Sequence, residues 1–133
     1  MLNARADDPI YRLSDRVADV GLLAFSRDIG KDTAGAGTVL LRRGGVGLVN
    51  SHMKVGRRRL ALAHELCHFL IADDCAVDWR VATHSDRDVP MESRLGRFAR
   101  ALLLPAAAVG GKWQEEIALR DERGAAIVLA GQF

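Results

Sequence analysis

Hydrophobic positions recur at helical spacing in five segments of the chain, which predicts five helices. The predicted helices cover Ser14–Ile29, Arg57–Ala72, Pro90–Leu104, Trp113–Leu119 and Gly124–Ala130. Gly30 and Pro105 follow the first and third of these helices as stop signals. Gly110 and Gly111 are expected to break the chain before the fourth. The polar segment Asp73–Val89 predicts a long loop.

Two short runs of apolar and β-branched residues surround an Arg-Gly-Gly turn. Thr38–Arg42 and Val46–Asn50 therefore predict a hairpin, in which Gly44 and Gly45 supply the conformational freedom of the turn. Together with the helices, the hairpin predicts an α+β fold in which the Arg57–Ala72 helix packs on a small sheet. The chain has 133 residues, 49% of them apolar, and is expected to form one globular domain over residues 1–133.

The predicted Arg57–Ala72 helix carries ionisable side chains inside the apolar stretch LALAHELCHFL. His64 and His68 are four residues apart, so they lie on one helix face, where two imidazoles can share a zinc ion. Glu65 projects about 100° round the helix and is placed to reach a water on the metal rather than the metal itself. His-Glu-x-x-His thus predicts a zinc peptidase site with Glu65 as its general base. A pair of core histidines is the alternative, and it does not account for Glu65.

A catalytic zinc site also needs a third protein ligand and an open position. Glu92 is the preferred ligand because it lies on the apolar stripe of the Pro90–Leu104 helix, where a carboxylate requires a partner. Gly96, one turn further, is expected to let this helix approach the His-Glu-x-x-His helix closely. A surface or helix-cap role is the alternative for Glu92. The stripe consists of Leu95, Ala99, Leu102 and Leu103, and the other candidate ligands are Cys75, His84, Asp86 and Asp88.

The charge distribution gives little support for a nucleic-acid partner. The net charge is only +2. The basic run of Arg57, Arg58 and Arg59 is a small positive patch, and no aromatic residue lies near it in sequence on which nucleic-acid bases could stack. We therefore expect no direct nucleic-acid binding. We expect the three arginines to pair with acidic side chains instead, such as Asp73 and Asp74 or those of the terminal helices.

Two features favour a cytoplasmic protein. No apolar run is long enough to span a membrane, and the N-terminus lacks the pattern of a secretion signal. In a reducing compartment Cys67 and Cys75 are expected to remain free thiols rather than to form a disulfide.

The two motifs resemble those of the ImmA/IrrE-type metallo-endopeptidases, a family of small cytoplasmic zinc peptidases of bacteria and their mobile elements. In that family an Arg-rich lead enters A-H-E-L-G-H, and E-x-x-A-N-x-F-A-x-x-L-L-x-P follows further along. The corresponding stretches here are RRRLALAHELCHFL and ESRLGRFARALLLP. The family's strand before the active helix commonly ends in Val-Asn, as Val49-Asn50 does here, and the resemblance extends over Val39–Pro105.

The resemblance implies a zincin-like fold and a set of functional residues. His64 and His68 match the zinc histidines, Glu65 the catalytic glutamate and Glu92 the third ligand. The chain departs from the family pattern at Cys67, where glycine is usual, and at Leu95-Gly96, where Ala-Asn is usual.

The resemblance also implies an activity, because characterised members of the family cleave a DNA-binding repressor. We therefore expect a zinc-dependent endopeptidase of narrow substrate range that acts on a protein of the helix-turn-helix repressor class. The substrate is expected to pair as a strand along the edge of Val46–Asn50, and His84 or His52 is a candidate for stabilising the oxyanion. The alternative function is a catalytically weak or inactive binding or sensory module.

Overall fold

A computed structural model describes residues 9–72, 76–78 and 89–133, with residues 76–78, 89 and 90 described by their backbone only. Five helices and four strands are present in these ranges. They are α1 (Leu13–Asp19), β1 (Leu22–Arg27), β2 (Ala36–Leu41), β3 (Gly44–Asn50), α2 (Val55–Leu70), β4 (Ala76–Asp78), α3 (Val89–Leu103), α4 (Ala106–Ile117) and α5 (Glu122–Gln132). The α+β class expected from the sequence is confirmed.

The four strands form one mixed sheet in the order β1-β3-β2-β4. β2 and β3 are the two arms of the predicted hairpin, and they pair antiparallel with Val39 opposite Val46. β1 lies parallel to β3 on its other side, with Leu22 opposite Gly45. The short β4 pairs antiparallel with the start of β2. β3 is consequently an internal strand with a neighbour on each side.

The prediction of one helix over Ser14–Ile29 is wrong, because α1 ends at Asp19 and β1 follows. Gly21 adopts a φ of 100°, a left-handed conformation that ends the helix. Its carbonyl then accepts a hydrogen bond from the Gly45 amide at 2.9 Å, which starts the pairing with β3. The apolar run of β1 is compatible with helix or strand, and pairing with β3 decides in favour of the strand.

Helix α2 packs with one side on the sheet and with another on α3. Its side chains Leu62, Ala63 and Leu66 are buried in the core together with Leu22 and Val49 from the sheet. The inner face of β3 carries glycines where α2 crosses it. A Cβ on Gly45 would lie 2.7 Å from Cδ2 of Phe69, so the small residue lets the helix lie close to the strand.

The outer face of the sheet presents apolar side chains in neighbouring rows. Leu23, Val46 and Val39 form one cross-strand row, and Phe25 and Leu48 stand opposite each other in the next. Leu23, Phe25 and Val39 are each more than half exposed. The sheet is therefore covered by α2 on one face and bears an exposed apolar surface on the other.

The C-terminal helices α4 and α5 pack against each other, with Ala108, Ala125 and Leu129 buried. The expected break at Gly110 and Gly111 is wrong, because α4 runs continuously through both. Both glycines are on exposed positions, where the lost helix propensity of about 1 kcal/mol per residue is tolerated inside an otherwise regular helix. None of the described helices is both long enough and apolar enough to span a bilayer.

Two glycines offer a matched test of this architecture. Gly44 has a φ of 145°, and a Cβ there would lie 2.6 Å from the backbone oxygen of Gly21, whereas a Cβ on Gly110 would meet open space. We expect Gly44→Ala to destabilise the protein by about 1–3 kcal/mol and Gly110→Ala to stabilise it by about 0.5–1 kcal/mol. Urea denaturation of both variants measures the difference, and equal stabilities would contradict the described turn.

Candidate metal centre

Two histidines of α2 direct their ring nitrogens to one point. His64 Nε2 and His68 Nε2 are 3.2 Å apart, and the rings meet nearly edge to face with centroids 4.9 Å apart. The i,i+4 spacing on a regular helix produces this arrangement. His68 is buried, and the side chain of His64 is 15% exposed, so the pair lies just below the surface.

Helix α3 adds a carboxylate to this pair. Glu92 Oε2 lies 3.1 Å from His64 Nε2, and Glu92 Oε1 lies 3.7 Å from His68 Nε2. Glu92 reaches this position because α3 packs against α2 along the predicted apolar stripe, in which Leu95 and Ala99 are buried. The Glu92 side chain is itself 42% exposed, which leaves the centre open to solvent on its side.

The distances among these side chains suit a small tetrahedral cation. One ligand atom from each of His64, His68 and Glu92 lies within 4.8 Å of the other two. With zinc–nitrogen and zinc–oxygen bonds of about 2.0–2.2 Å, tetrahedral coordination separates ligand atoms by roughly 3.3 Å. The two distances from His64 Nε2, 3.1 Å to Glu92 Oε2 and 3.2 Å to His68 Nε2, are close to this value, and the other Glu92 oxygen, Oε1, lies 3.7 Å from His68 Nε2. The residues present therefore fit a metal with two nitrogen ligands and one oxygen ligand.

Glu65 is fully buried, and its carboxylate reaches the sheet. Its Oε2 accepts a hydrogen bond of 2.6 Å from the Thr38 hydroxyl, and the same hydroxyl lies 3.4 Å from the backbone oxygen of Glu65. Thr38 is also fully buried, on the inner face of β2. A hydroxyl on the strand thus fixes the orientation of the carboxylate in the middle of the helix motif.

Comparison with known protein families agrees with this geometry. The family model of the IrrE N-terminal-like domain, peptidase family M78, matches residues 21–122. The chain belongs to this peptidase family. No curated protein and no solved structure matches it. The matched region of this M78 member contains β1, the hairpin, α2 and α3, and so includes every residue of the centre.

Cys67 and Gly96, two residues at which the sequence differs from the motif pattern described above, have different surroundings. Cys67 is a buried free thiol on α2. Burial raises the pKa of the Cys67 thiol, and the negative charge of Glu92 raises it further. The expectation that Gly96 brings α3 close to α2 is wrong. A Cβ on Gly96 would meet only the guanidinium of Arg100 on its own helix, at 3.5 Å.

Several candidates from the sequence do not join the centre. His52 lies in the turn before α2, where its Nδ1 is 3.6 Å from Asp28 Oδ2. Val55, the first residue of α2, lies roughly 14 Å along the helix axis from His64, and His52 precedes Val55 in the chain. His84, like Cys75, Asp86 and Asp88, lies outside the described residues.

Thr38 is the functional candidate that the sequence analysis missed. It is a single hydroxyl in the apolar strand AGTVLL, and strand alternation alone would place it on the same face as Ala36. Thr38 faces Glu65 only because α2 crosses over β2. The sequence does not reveal which residue of α2 will face a given residue of β2, so Thr38 could not be recognised from the sequence.

Substitutions at Thr38 test its hydrogen bond to Glu65. We expect Thr38→Val to destabilise the metal-free protein by about 1.5–3 kcal/mol, because a buried carboxylate loses a charge-assisted hydrogen bond. Thr38→Ser keeps the hydroxyl and should recover most of that loss. Urea denaturation measures both variants, each also in a Glu65→Gln background. The amide in the Glu65→Gln variant still accepts a hydrogen bond from Thr38 but carries no charge, so a loss in Thr38→Val that is undiminished in that background would contradict a charge-assisted bond.

Proposed function

We propose that the chain is a zinc-dependent endopeptidase of narrow substrate range, in which His64, His68 and Glu92 bind the metal and Glu65 is the general base. The observation that carries this proposal is the convergence of three ligand atoms, one from each of His64, His68 and Glu92, within 4.8 Å of one another. Membership of the M78 peptidase family supports it independently.

The donor set supports zinc as the ion. Two neutral imidazoles and one carboxylate are the ligands of many catalytic zinc sites, and they leave a fourth position for water or substrate. When bound, zinc acts as a Lewis acid and lowers the pKa of a coordinated water to about 7. The partly exposed side chain of Glu92 leaves a route by which water and substrate reach the centre.

Glu65 supplies the proton transfers in the proposed reaction. Its carboxylate accepts a proton from the attacking water. The water oxygen then bonds to the peptide carbon, and Glu65 delivers the proton to the leaving amine nitrogen as the carbon–nitrogen bond breaks. Thr38 keeps the carboxylate oriented during both transfers. It acts on the reaction through Glu65 and is a positioning residue.

The expected substrate edge on Val46–Asn50 is wrong, because β3 has β1 on one side and β2 on the other. β2 is the strand that contacts Glu65, through Thr38. β4 pairs only with Ala36–Thr38, so within the described residues Val39–Leu41 has no strand partner on that side. We place an extended substrate peptide along this part of β2, where backbone pairing would hold it beside Glu65.

A helix-turn-helix repressor is the proposed substrate class. The proposal comes from the resemblance to repressor-cleaving endopeptidases. It is supported by the short length of the available strand edge, because backbone pairing over a few residues discriminates poorly between peptides. Selectivity must then come from contacts with a folded partner outside the cleavage site.

Zinc content tests the ligand assignment. We expect about one zinc per chain after dialysis, and none in His64→Ala or Glu92→Ala, because each removes one of three protein ligands. Zinc should stabilise the parent protein by about 4 kcal/mol when its free concentration is a thousand times the dissociation constant. Glu115→Ala, at an exposed position on α4, is the matched control. Atomic emission and thermal denaturation measure both effects. Undiminished zinc binding by Glu92→Ala would refute its assignment.

Glu65→Gln separates metal binding from catalysis. The amide keeps the shape of the side chain but cannot accept a proton, so we expect normal zinc content and a loss of cleavage by at least a hundredfold. The assay incubates the purified protein with the helix-turn-helix regulators encoded beside it and follows fragments by mass spectrometry, with casein as a non-specific substrate.

The parent protein should cleave one of these regulators and leave casein largely intact. Equal cleavage by Glu65→Gln and the parent would eliminate the general-base role. A zinc-loaded parent that cleaves neither regulators nor casein would favour the binding-module alternative.

A further inference from the structure

A second concave site lies between α1, β1, β3 and the first half of α2. Its volume is about 310 Å³, within the range of pockets that hold small organic ligands. The apolar part of its wall includes Leu13, Ala24, Phe25 and Leu62.

The pocket is separate from the metal centre. Val55 lines the pocket, and His64 follows nine residues later on the same helix. Nine residues correspond to about two and a half helical turns, so the two side chains leave α2 on opposite sides. None of the metal-centre residues lines the pocket.

The polar part of the pocket is positively charged. Arg58 and Arg59 lie on its wall. Arg59 is already engaged, because its Nη2 donates to the backbone oxygens of Ile10 and Phe133 at 2.8 and 3.0 Å. Arg58 differs, since its buried Nε has no hydrogen-bond partner among the described residues. The expectation that the run of arginines pairs with acidic side chains is therefore not met within the described part of the chain, and Asp73 and Asp74 lie outside it.

No described carboxylate on the pocket wall balances this charge. The lining residues include Arg12, which forms an exposed ion pair with Asp15, and the hydroxyls of Ser14 and Ser26. The first turn of α2 contains no acidic residue and has no side-chain cap. The positive end of the helix dipole therefore adds to the charge of Arg58.

We propose that this pocket binds a small amphiphilic anion, namely an apolar body that carries one carboxylate. The body would pack against Leu13, Ala24 and Leu62, and the carboxylate would accept hydrogen bonds from Arg58. A guanidinium matches a carboxylate through paired donors, and an apolar wall of this size requires a ligand with its own apolar surface. The binding is independent of the metal, because the site shares only the body of α2 with the centre.

Two fluorescent dyes test the proposal on the intact protein. 8-Anilinonaphthalene-1-sulfonate has an aromatic body with one negative charge, and N-phenyl-1-naphthylamine has the same body without the charge. We expect the anionic dye to bind at least tenfold more tightly than the neutral one, with or without EDTA. Octanoate should displace it, and inorganic phosphate at the same concentration should not. Equal affinity for both dyes, or displacement by phosphate alone, would overturn the proposal.

Variants locate the bound dye. Arg58→Met should weaken binding of the anionic dye about tenfold and leave the neutral dye unchanged, because it removes only the charged donor. Ser26→Phe should weaken both dyes by narrowing the pocket. Leu48→Ser, on the exposed outer face of the sheet, is the control and should change neither. Unchanged binding in both Arg58→Met and Ser26→Phe, or loss of binding in Leu48→Ser, would place the dye elsewhere and refute the site.

Discussion

The structure depends on how helix α2 satisfies the polar groups that it buries. Glu65 is fully buried and His68 nearly so, in a helix that otherwise contributes apolar side chains to the core. An ionised group in such surroundings is destabilising by several kcal/mol unless it is paired. In the sheet, the Thr38 hydroxyl donates a hydrogen bond to Glu65, and on α3 the Glu92 carboxylate lies within hydrogen-bonding distance of His64. The sheet and α3 therefore each supply both apolar contacts and a polar partner to α2. The elements that pack against α2, namely the sheet and α3, must therefore be apolar and must also place a polar group opposite each buried polar side chain.

Close packing between α2 and β3 helps to bring the polar partners of α2 within reach of its buried side chains. A side chain at Gly45 would collide with Phe69, so β3 requires glycine at this position where the helix crosses it. With the helix lying close to the sheet, the short Thr38 hydroxyl reaches the Glu65 carboxylate at 2.6 Å. A larger separation would leave this contact beyond hydrogen-bonding distance. Residues without side chains thus contribute to the geometry of the candidate metal centre.

Helix α2 also divides two chemically different surfaces. The metal centre lies on its C-terminal half, beside α3, and the basic pocket lies on its N-terminal half, beside α1 and β1. Arginines in the first helical turn oppose the helix dipole, so their placement is locally unfavourable. Arg59 gains hydrogen bonds to two segments that are distant in sequence, Ile10 and Phe133. The Nε of Arg58 has no hydrogen-bond partner within the described residues. The two adjacent arginines therefore differ in whether hydrogen bonds offset their unfavourable placement.

The sequence by itself determined the features that rest on local periodicity and short motifs. The hairpin, the approximate extent of α2 and α3, and the shared helix face of the two histidines all follow from spacing along a helix or strand. The apolar stripe of α3 marked Glu92 as a candidate, and the packing of α3 against α2 brings it to the histidines. Tertiary structure decided the rest. Leu22–Arg27 forms a strand because it pairs in parallel with β3. The same pairing gives β3 a second neighbour and makes it an internal strand. Thr38 joined Glu65 only through the crossing of α2 over β2. These contacts join residues that are far apart in the chain, and local periodicity carries no information about which distant backbone or side chain will face a given position.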